Sequence, residues 1–357
     1  MSGSIVPEKS SQNFPAGETI EVSAAKANRD GAWLFANLAK SQEGIVLMLA
    51  VLAFIGFSLF LPSFLSPGNL LALVRSVSIL GILALGMAIV VIGRGIDVSM
   101  IATMVVSVAW AFVLTRGGLD LELALVVGGL FALAAGMAIG ILIAFGEVPP
   151  IFATLAAGSI IYGLGRTFFF KLEMQNVPPG YEWFSFFGRA QIFGIPVTVL
   201  TFGVLCVVVH LILSRTRFGW LTYAMGNNPE ASRITGVPVR PMVVAHYAVS
   251  AIVAYGAGLI LASSTSAINA RLFNSTMIYD ILLVVVLGGI GLSGGHGKVR
   301  NVILGTIFVG ILLNGMTILN IDYTIQNLVK GVVLLLAIVI DSLINPRDEQ
   351  TSQQGDL

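Results

Sequence analysis

The stretch LELALVVGGLFALAAGMAIGILIAFG, residues 121–146, carries a single charge, Glu122, in 26 positions. As a helix it would rise about 39 Å at 1.5 Å per residue, more than the roughly 30 Å of hydrocarbon in a bilayer. Gly128, Ala132, Gly136, Gly140 and Ala144 follow one another at four-residue intervals and fall on one stripe of that helix. Lipid tails are as apolar as leucine, so helices in a bilayer associate by close van der Waals contact, and a stripe of small residues lets two backbones approach. Residues 121–146 therefore predict a membrane-crossing helix, and the stripe predicts a tight helix contact with no further role needed.

The pattern repeats along the chain. Of its 357 residues 56% are hydrophobic and 10% charged, and the mean hydropathy is +0.94, far from the balance of a water-soluble domain. Nearly half of the charged residues, 18 of 37, lie in the stretches 1–43, 214–240 and 346–357. Between them, apolar runs bounded by charges, Pro or Gly clusters predict helices at about 44–62, 74–93, 98–115, 121–146, 151–170, 195–213, 243–262, 277–291, 299–319 and 325–344. This is an all-α, polytopic membrane chain of about ten transmembrane helices, since a barrel would need short alternating strands. The third and eighth runs are short or interrupted by glycine, which predicts segments that bend or break where protein, not lipid, surrounds the backbone.

Three regions follow. Residues 1–43 are polar, mixed in charge and without the apolar core of a secretory signal, and read as a loosely ordered cytoplasmic extension. Residues 44–345 form the membrane region and 346–357 a cytoplasmic tail. With both ends cytoplasmic, ten crossings place Arg94, the 214–242 loop, Lys298 and Arg300 on the same side. Twelve of the 19 Lys and Arg residues then lie inside, in keeping with the positive-inside rule. Arg75, Arg116, Arg166, Lys171, Arg189, Arg271 and Lys330 fall outside or near helix ends. The polar and aromatic stretch from Lys171 to Gly194 reads as an outer loop at the membrane interface.

Several chemistries are excluded. A net charge of +1 offers no basic surface for nucleic acid, and a lone Cys206 permits neither an intrachain disulfide nor a cysteine-based zinc site. His210, His246 and His296 lack metal-ligand spacing, no nucleophile elbow occurs, and Ser263-Ser264 reads as hydrogen bonding within the membrane. The run LGGIGLSGGHGKV, residues 287–299, imitates nucleotide-binding motifs. It joins two apolar helices, however, where a dinucleotide fingerprint needs a βαβ unit, and it has Leu292 and Val299 where a phosphate loop needs Gly and Ser or Thr. No metal, no cofactor and no reacting constellation is expected in this chain.

The most defined polar segment is GNNPEASRITGVP, residues 226–238. Asn228 suits an N-cap, Pro229 the first helical position, and Glu230 the first turn, where the helix dipole favours negative charge. Gly236 suits the terminating position and Pro238 blocks continuation. These signals predict one or two helical turns between two membrane spans, and such capping marks a docking element in preference to a solvated loop.

Four segments carry a family resemblance. GMAIVVIGRGIDVS (86–99), GNNPEASRITGV (226–237), VVLGGIGLSGGHGKV (285–299) and LGTIFVGILLNGMTIL (304–319), the last followed by LVKGVVLLLAIVID (328–341), resemble in order and spacing the membrane permease subunit of ribose-type ABC sugar importers. The likeness spans roughly residues 64–342. It implies an ABC importer permease that pairs with a second copy or a related chain around a central path in the bacterial inner membrane. Substrate would arrive from a periplasmic binding protein, and ATP and Mg would be held by a separate ATPase subunit. The 226–237 segment resembles the coupling helix that docks on that ATPase, with Asn227, Asn228, Pro229, Glu230, Arg233 and Gly236 on matching positions.

Two positions depart from the family pattern. Arg94 precedes Gly95 where the family commonly has paired glycines, and Ile278 stands where a Glu is common. Asp97 either caps the third helix through Ser99, pairs with Arg94, or takes a direct role in the path, because a carboxylate at such depth faces a bundle interior or a wet cavity. Asp280 reads as an outer cap or gate element. Asn314, in the middle of the ninth run, either bonds a sugar hydroxyl or bonds another helix. A permease for branched-chain amino acids or nucleosides is the near alternative, and an ion-coupled secondary transporter the distant one.

Overall fold

Apolar runs of this length leave the backbone one way to satisfy itself in hydrocarbon, the helix, and the computed structural model describes residues 42–344 as thirteen α-helices with four very short strands. Of the extension expected at 1–43, residues 1–41 lie outside the described residues, as do residue 345 and the tail at 346–357, while Gln42 and Glu43 already belong to the first helix. Ten of the helices are the predicted apolar runs. They are α1 (Gln42–Phe60), α2 (Pro67–Ile92), α3 (Met100–Arg116), α4 (Leu121–Gly146) and α5 (Pro150–Leu164). After a long loop come α7 (Val197–Arg215), α10 (Val239–Thr265), α11 (Met277–Leu287), α12 (Val299–Ile318) and α13 (Tyr323–Ile344). Three short helices complete the set: α6 (Glu182–Arg189), α8 (Arg217–Asn227) and α9 (Pro229–Ile234).

Eight of the ten are long and apolar enough to cross a membrane, α5 being extended by a π turn at Gly165–Phe169. The remaining two are α3 and α11, the third and eighth runs. The 11 residues of α11 rise only about 16 Å, half the hydrocarbon thickness. Both are sheltered: α3 is buried without a break from Met100 to Ala109 and α11 from Leu283 to Leu287. Some boundaries differ from the sequence reading. α2 begins at Pro67, seven residues before the expected 74, because Ser66 caps it and Pro67 fills its first turn. α11 stops at Leu287, before the expected 291, where Gly288 caps it and Gly289 turns left-handed at φ 98°.

Burial sorts the helices. Every residue of α2 from Ser78 to Ile92 is buried, so this helix, apolar on all sides, forms the centre of the bundle with α3, α10, α11 and α12. By contrast α1, α5, α7 and α13 keep apolar side chains such as Leu59, Phe152, Val204 and Leu335 outward, as a bilayer solvent allows. The stripe Gly128, Ala132, Gly136, Gly140 and Ala144 is buried and faces α10, with Gly128 reaching α3 as well. A methyl on Gly136 would lie 2.5 Å from the Tyr247 carbonyl oxygen and one on Gly140 2.5 Å from Val244 Cα. No larger residue fits between these backbones.

The helices alternate between two ends of the bundle. At one end β1 (Met174–Asn176) pairs antiparallel with β4 (Ala267–Asn269), and β2 (Gln191–Ile192) with β3 (Ile195–Pro196). Here Ser263 Oγ donates to the Phe184 carbonyl, Ser264 Oγ donates to Gly188 O at 3.1 Å, and Arg189 reaches Ser266 Oγ. The serine pair on α10 thus fastens α6 to this end of the bundle. The opposite end gathers the motif segments.

Candidate functional site

Three of the resembling segments, far apart in sequence, meet at that second end. α2 finishes at Ile92, and the chain turns through Gly93, Arg94 and Gly95 before α3 begins after Ser99. Arg94 holds φ 68°, a left-handed conformation that suits glycine, so the chain makes this turn with a strained arginine. Its Nε donates to Ser293 O at 2.9 Å, in the glycine-rich loop after α11. Two residues further on, Gly295 N donates to Ile92 O at 2.8 Å. That loop is anchored from behind by Asn301, whose Nδ2 donates to Gly288 O at 2.7 Å and whose Oδ1 accepts from Lys298 N at 2.9 Å.

The end of α8 lies on this backbone junction. A methyl on Gly226 would fall 2.0 Å from Ile92 O and 2.5 Å from Gly295 N, so α8 contacts both strands of the junction at once. Tyr223, one turn earlier, donates its hydroxyl to Gly297 O at 2.7 Å. Sequence reading treated residues before Gly226 as loop and missed α8. Its signal was Thr216, whose Oγ1 caps the helix by accepting from Gly219 N at 3.4 Å.

Directly after α8, the α9 segment is built as its residues predict. Asn228 Oδ1 accepts from Ala231 N at 3.0 Å, Pro229 opens the helix, and Glu230 and Arg233 occupy its first and last turns. Gly236 at φ 84° ends it: its N–H bonds Arg233 O at 3.1 Å, and Val237 N bonds Ser232 O at 2.9 Å. Glu230, Arg233 and Ile234 are exposed, Ile234 by 86%. Beside them a cleft of about 630 Å³ runs between α9, the end of α4 and the start of α10. Its far wall holds a salt bridge, Arg240 to Glu147 at 3.0 Å, which sequence spacing did not reveal.

Asp97 lies on the inner side of the junction and is 2% exposed. One carboxylate oxygen accepts from Ser99 N at 3.1 Å and Ser99 Oγ at 2.5 Å, and the other accepts from Ser250 Oγ of α10 at 2.7 Å. Three donors thus converge on one buried carboxyl. Ser99 stands at the N-cap position of α3 without a side-chain cap bond of its own, its hydroxyl turned to Asp97.

Two expected site residues lie elsewhere. Asn314 faces Asn69 of α2 in a reciprocal amide pair, with N–H to oxygen distances of 2.8 and 3.0 Å. Asp280, in the first turn of α11, lies 2.9 Å from Lys330 Nζ, which also donates to Thr276 Oγ1 at 3.2 Å. Lys330 was assigned to the outside or to a helix end. It is 6% exposed, two turns into α13, and its charge is met by Asp280. Among the described residues no cluster of three or more His, Cys, Asp or Glu could hold a metal ion.

Comparison with known proteins places the chain. The family described as branched-chain amino acid transport system / permease component matches residues 69–338, well over half of the sequence. The chain belongs to this family of multi-pass transport permeases. It is similar to the ribose import permease RbsC of Bacillus subtilis, at 35% identity over 284 residues that cover 80% of this chain and 88% of the relative. It is likewise similar to the ribose import permease RbsC of Escherichia coli K12, at 28% over 87% of this chain and 95% of the relative. The L-arabinose permease AraH of Azospirillum brasilense is 29% identical over 96% of each chain. No solved structure gives a significant match.

Proposed function

We propose that this chain is the membrane permease subunit of an ATP-driven importer and forms the path for a monosaccharide or related polyol. It would lie in the inner membrane of a bacterium, receive its cargo from a periplasmic binding protein, and pair with a second copy or a related permease. The sugar reading draws on the ribose and arabinose relatives, whose matches cover 80%, 87% and 96% of the chain. The branched-chain amino acids in the family's description make a second reading, and uptake tests with labelled ribose, arabinose and leucine separate the two.

The observation that carries the mechanism is the capped, exposed α9, which follows directly on α8, whose end lies on the backbone junction that leads to Asp97. In this reading α9 is the foot on which a separate ATPase subunit, holding ATP and Mg, pushes from the cytoplasm. Asn227, Asn228, Pro229, Glu230, Arg233 and Gly236 shape that foot. This chain contributes no chemistry of its own, since its part is to move Asp97, Ser99 and the helices around them. Glu230→Arg reverses the charge on the exposed first turn without touching a membrane helix. Membrane insertion should be unchanged while stimulation of the ATPase by the permease is lost. Full coupled uptake in that variant overturns the docking assignment.

A further inference from the structure

His246, read from sequence as an isolated histidine, is placed where three elements of the junction meet. Its Nε2 lies 2.9 Å from Thr222 Oγ1 on α8. The threonine hydroxyl already donates to Phe218 O at 2.8 Å, so it accepts here and Nε2 carries the proton. The adjoining Nδ1–Cε1 edge of the ring abuts the α2–α3 turn, where a methyl on Gly93 would fall 2.5 Å from both atoms. Phe218 closes the third side edge-on, 5.4 Å between ring centroids. The ring is 2% exposed.

α10 continues the contact. Tyr247 fills the space at Gly95, where a methyl would fall 2.5 Å from its hydroxyl oxygen, and Ser250, one turn on, donates to Asp97. One face of α10 therefore touches α8 at Thr222 and Phe218 and the turn from Gly93 to Asp97 at three points. An interior packed at this density transmits displacement and cannot deform continuously.

We propose that His246 is a positioning residue: it locks the Gly93–Asp97 turn to α8, so that a displacement of α9 arrives at Asp97 and is not absorbed in the turn. The wedge joins α8 to the turn by one hydrogen bond and one ring edge. The other ties run by way of Ile92 and the glycine-rich loop, through the backbone contacts of Gly226 and Gly295 and the bonds of Tyr223 to Gly297 O and of Arg94 to Ser293 O. The inference rests on the reading of α9 as the ATPase-docking foot.

The test uses the permease assembled with its ATPase subunit and binding protein in lipid nanodiscs. Cys206, the one cysteine, is replaced by Ser and a reporter introduced as Ile96→Cys, whose thiol reactivity is compared with and without ATP. His246→Ala and Thr222→Val are placed in this background. Each should leave ATPase subunit binding and basal hydrolysis intact, abolish the ATP-dependent change in reactivity at position 96, and lower solute moved per ATP roughly tenfold, the effect of about 1.4 kcal/mol. The double variant should be no worse than either single, because both cut the same link.

An ATP-dependent change that persists in Thr222→Val, which keeps the side-chain shape, overturns the proposal, as does strict additivity of the two losses. A parent protein that binds no ATPase subunit at all would instead overturn the docking reading on which it rests.

Discussion

Replacing Gly226 by Ala inserts one methyl where three segments touch. That methyl would lie 2.0 Å from Ile92 O and 2.5 Å from Gly295 N, where a carbon–oxygen contact needs roughly 3.3 Å. The backbones must part by more than an ångström, which breaks the 2.8 Å bond from Gly295 N to Ile92 O. Overpacking costs about 1–3 kcal/mol, and a buried N–H left without its acceptor about 1–3 kcal/mol more. The helix propensity of Ala over Gly returns up to about 1 kcal/mol. The net loss is about 1–6 kcal/mol, a fall in Tm on the order of 2–20 °C, read by thermal unfolding of purified protein in detergent. Gly203→Ala on α7 is the control: a methyl there meets nothing within 4 Å and should be neutral or stabilising by up to about 1 kcal/mol. If Gly226→Ala melts together with Gly203→Ala, the three segments do not form a rigid junction and the coupling argument loses its basis.

Lys330→Ala strands the Asp280 carboxyl among buried groups and should cost about 3–5 kcal/mol, whereas the apolar pair Lys330→Met with Asp280→Leu should recover most of the loss; melting curves of the three variants decide. For the amide pair Asn69 and Asn314, a double-mutant cycle with Leu at each position should return a coupling of about 0.6 kcal/mol and no more than about 1.7 kcal/mol. No measurable coupling would mean that the two amides do not bind each other.

What the sequence made legible follows the range of each interaction. The α9 segment could be read residue by residue because its caps are local: Asn228 bonds an N–H three positions on, and Gly236 and Val237 close back on Arg233 and Ser232. The small-residue stripe on α4 was legible for the same reason, as a regular spacing within one helix. α8 was missed because its residues, RFGWLTYAMGN, mix aromatic and polar groups without the length of a span, and it is held by packing on Leu213, Ile92 and Gly295 rather than by its own pattern.

Partners distant in sequence left no trace of that kind. Ser250 lies 153 residues from Asp97 and Lys330 lies 50 from Asp280. Composition therefore flagged both carboxylates as costly without saying what offsets the cost. The same holds for His246: its solitude in sequence argued against metal binding, while the wedge it forms depends on Thr222 and Gly93, on two other elements.

Transport driven from outside the chain is the claim that all of this serves, and reconstitution tests it most directly. Proteoliposomes containing this protein alone, with a proton or sodium gradient imposed, are compared with vesicles that also hold the ATPase subunit, the binding protein and ATP. The account predicts accumulation of labelled sugar only in the second set, lost when Glu230→Arg replaces the parent chain. Accumulation against a gradient by the lone protein would contradict it.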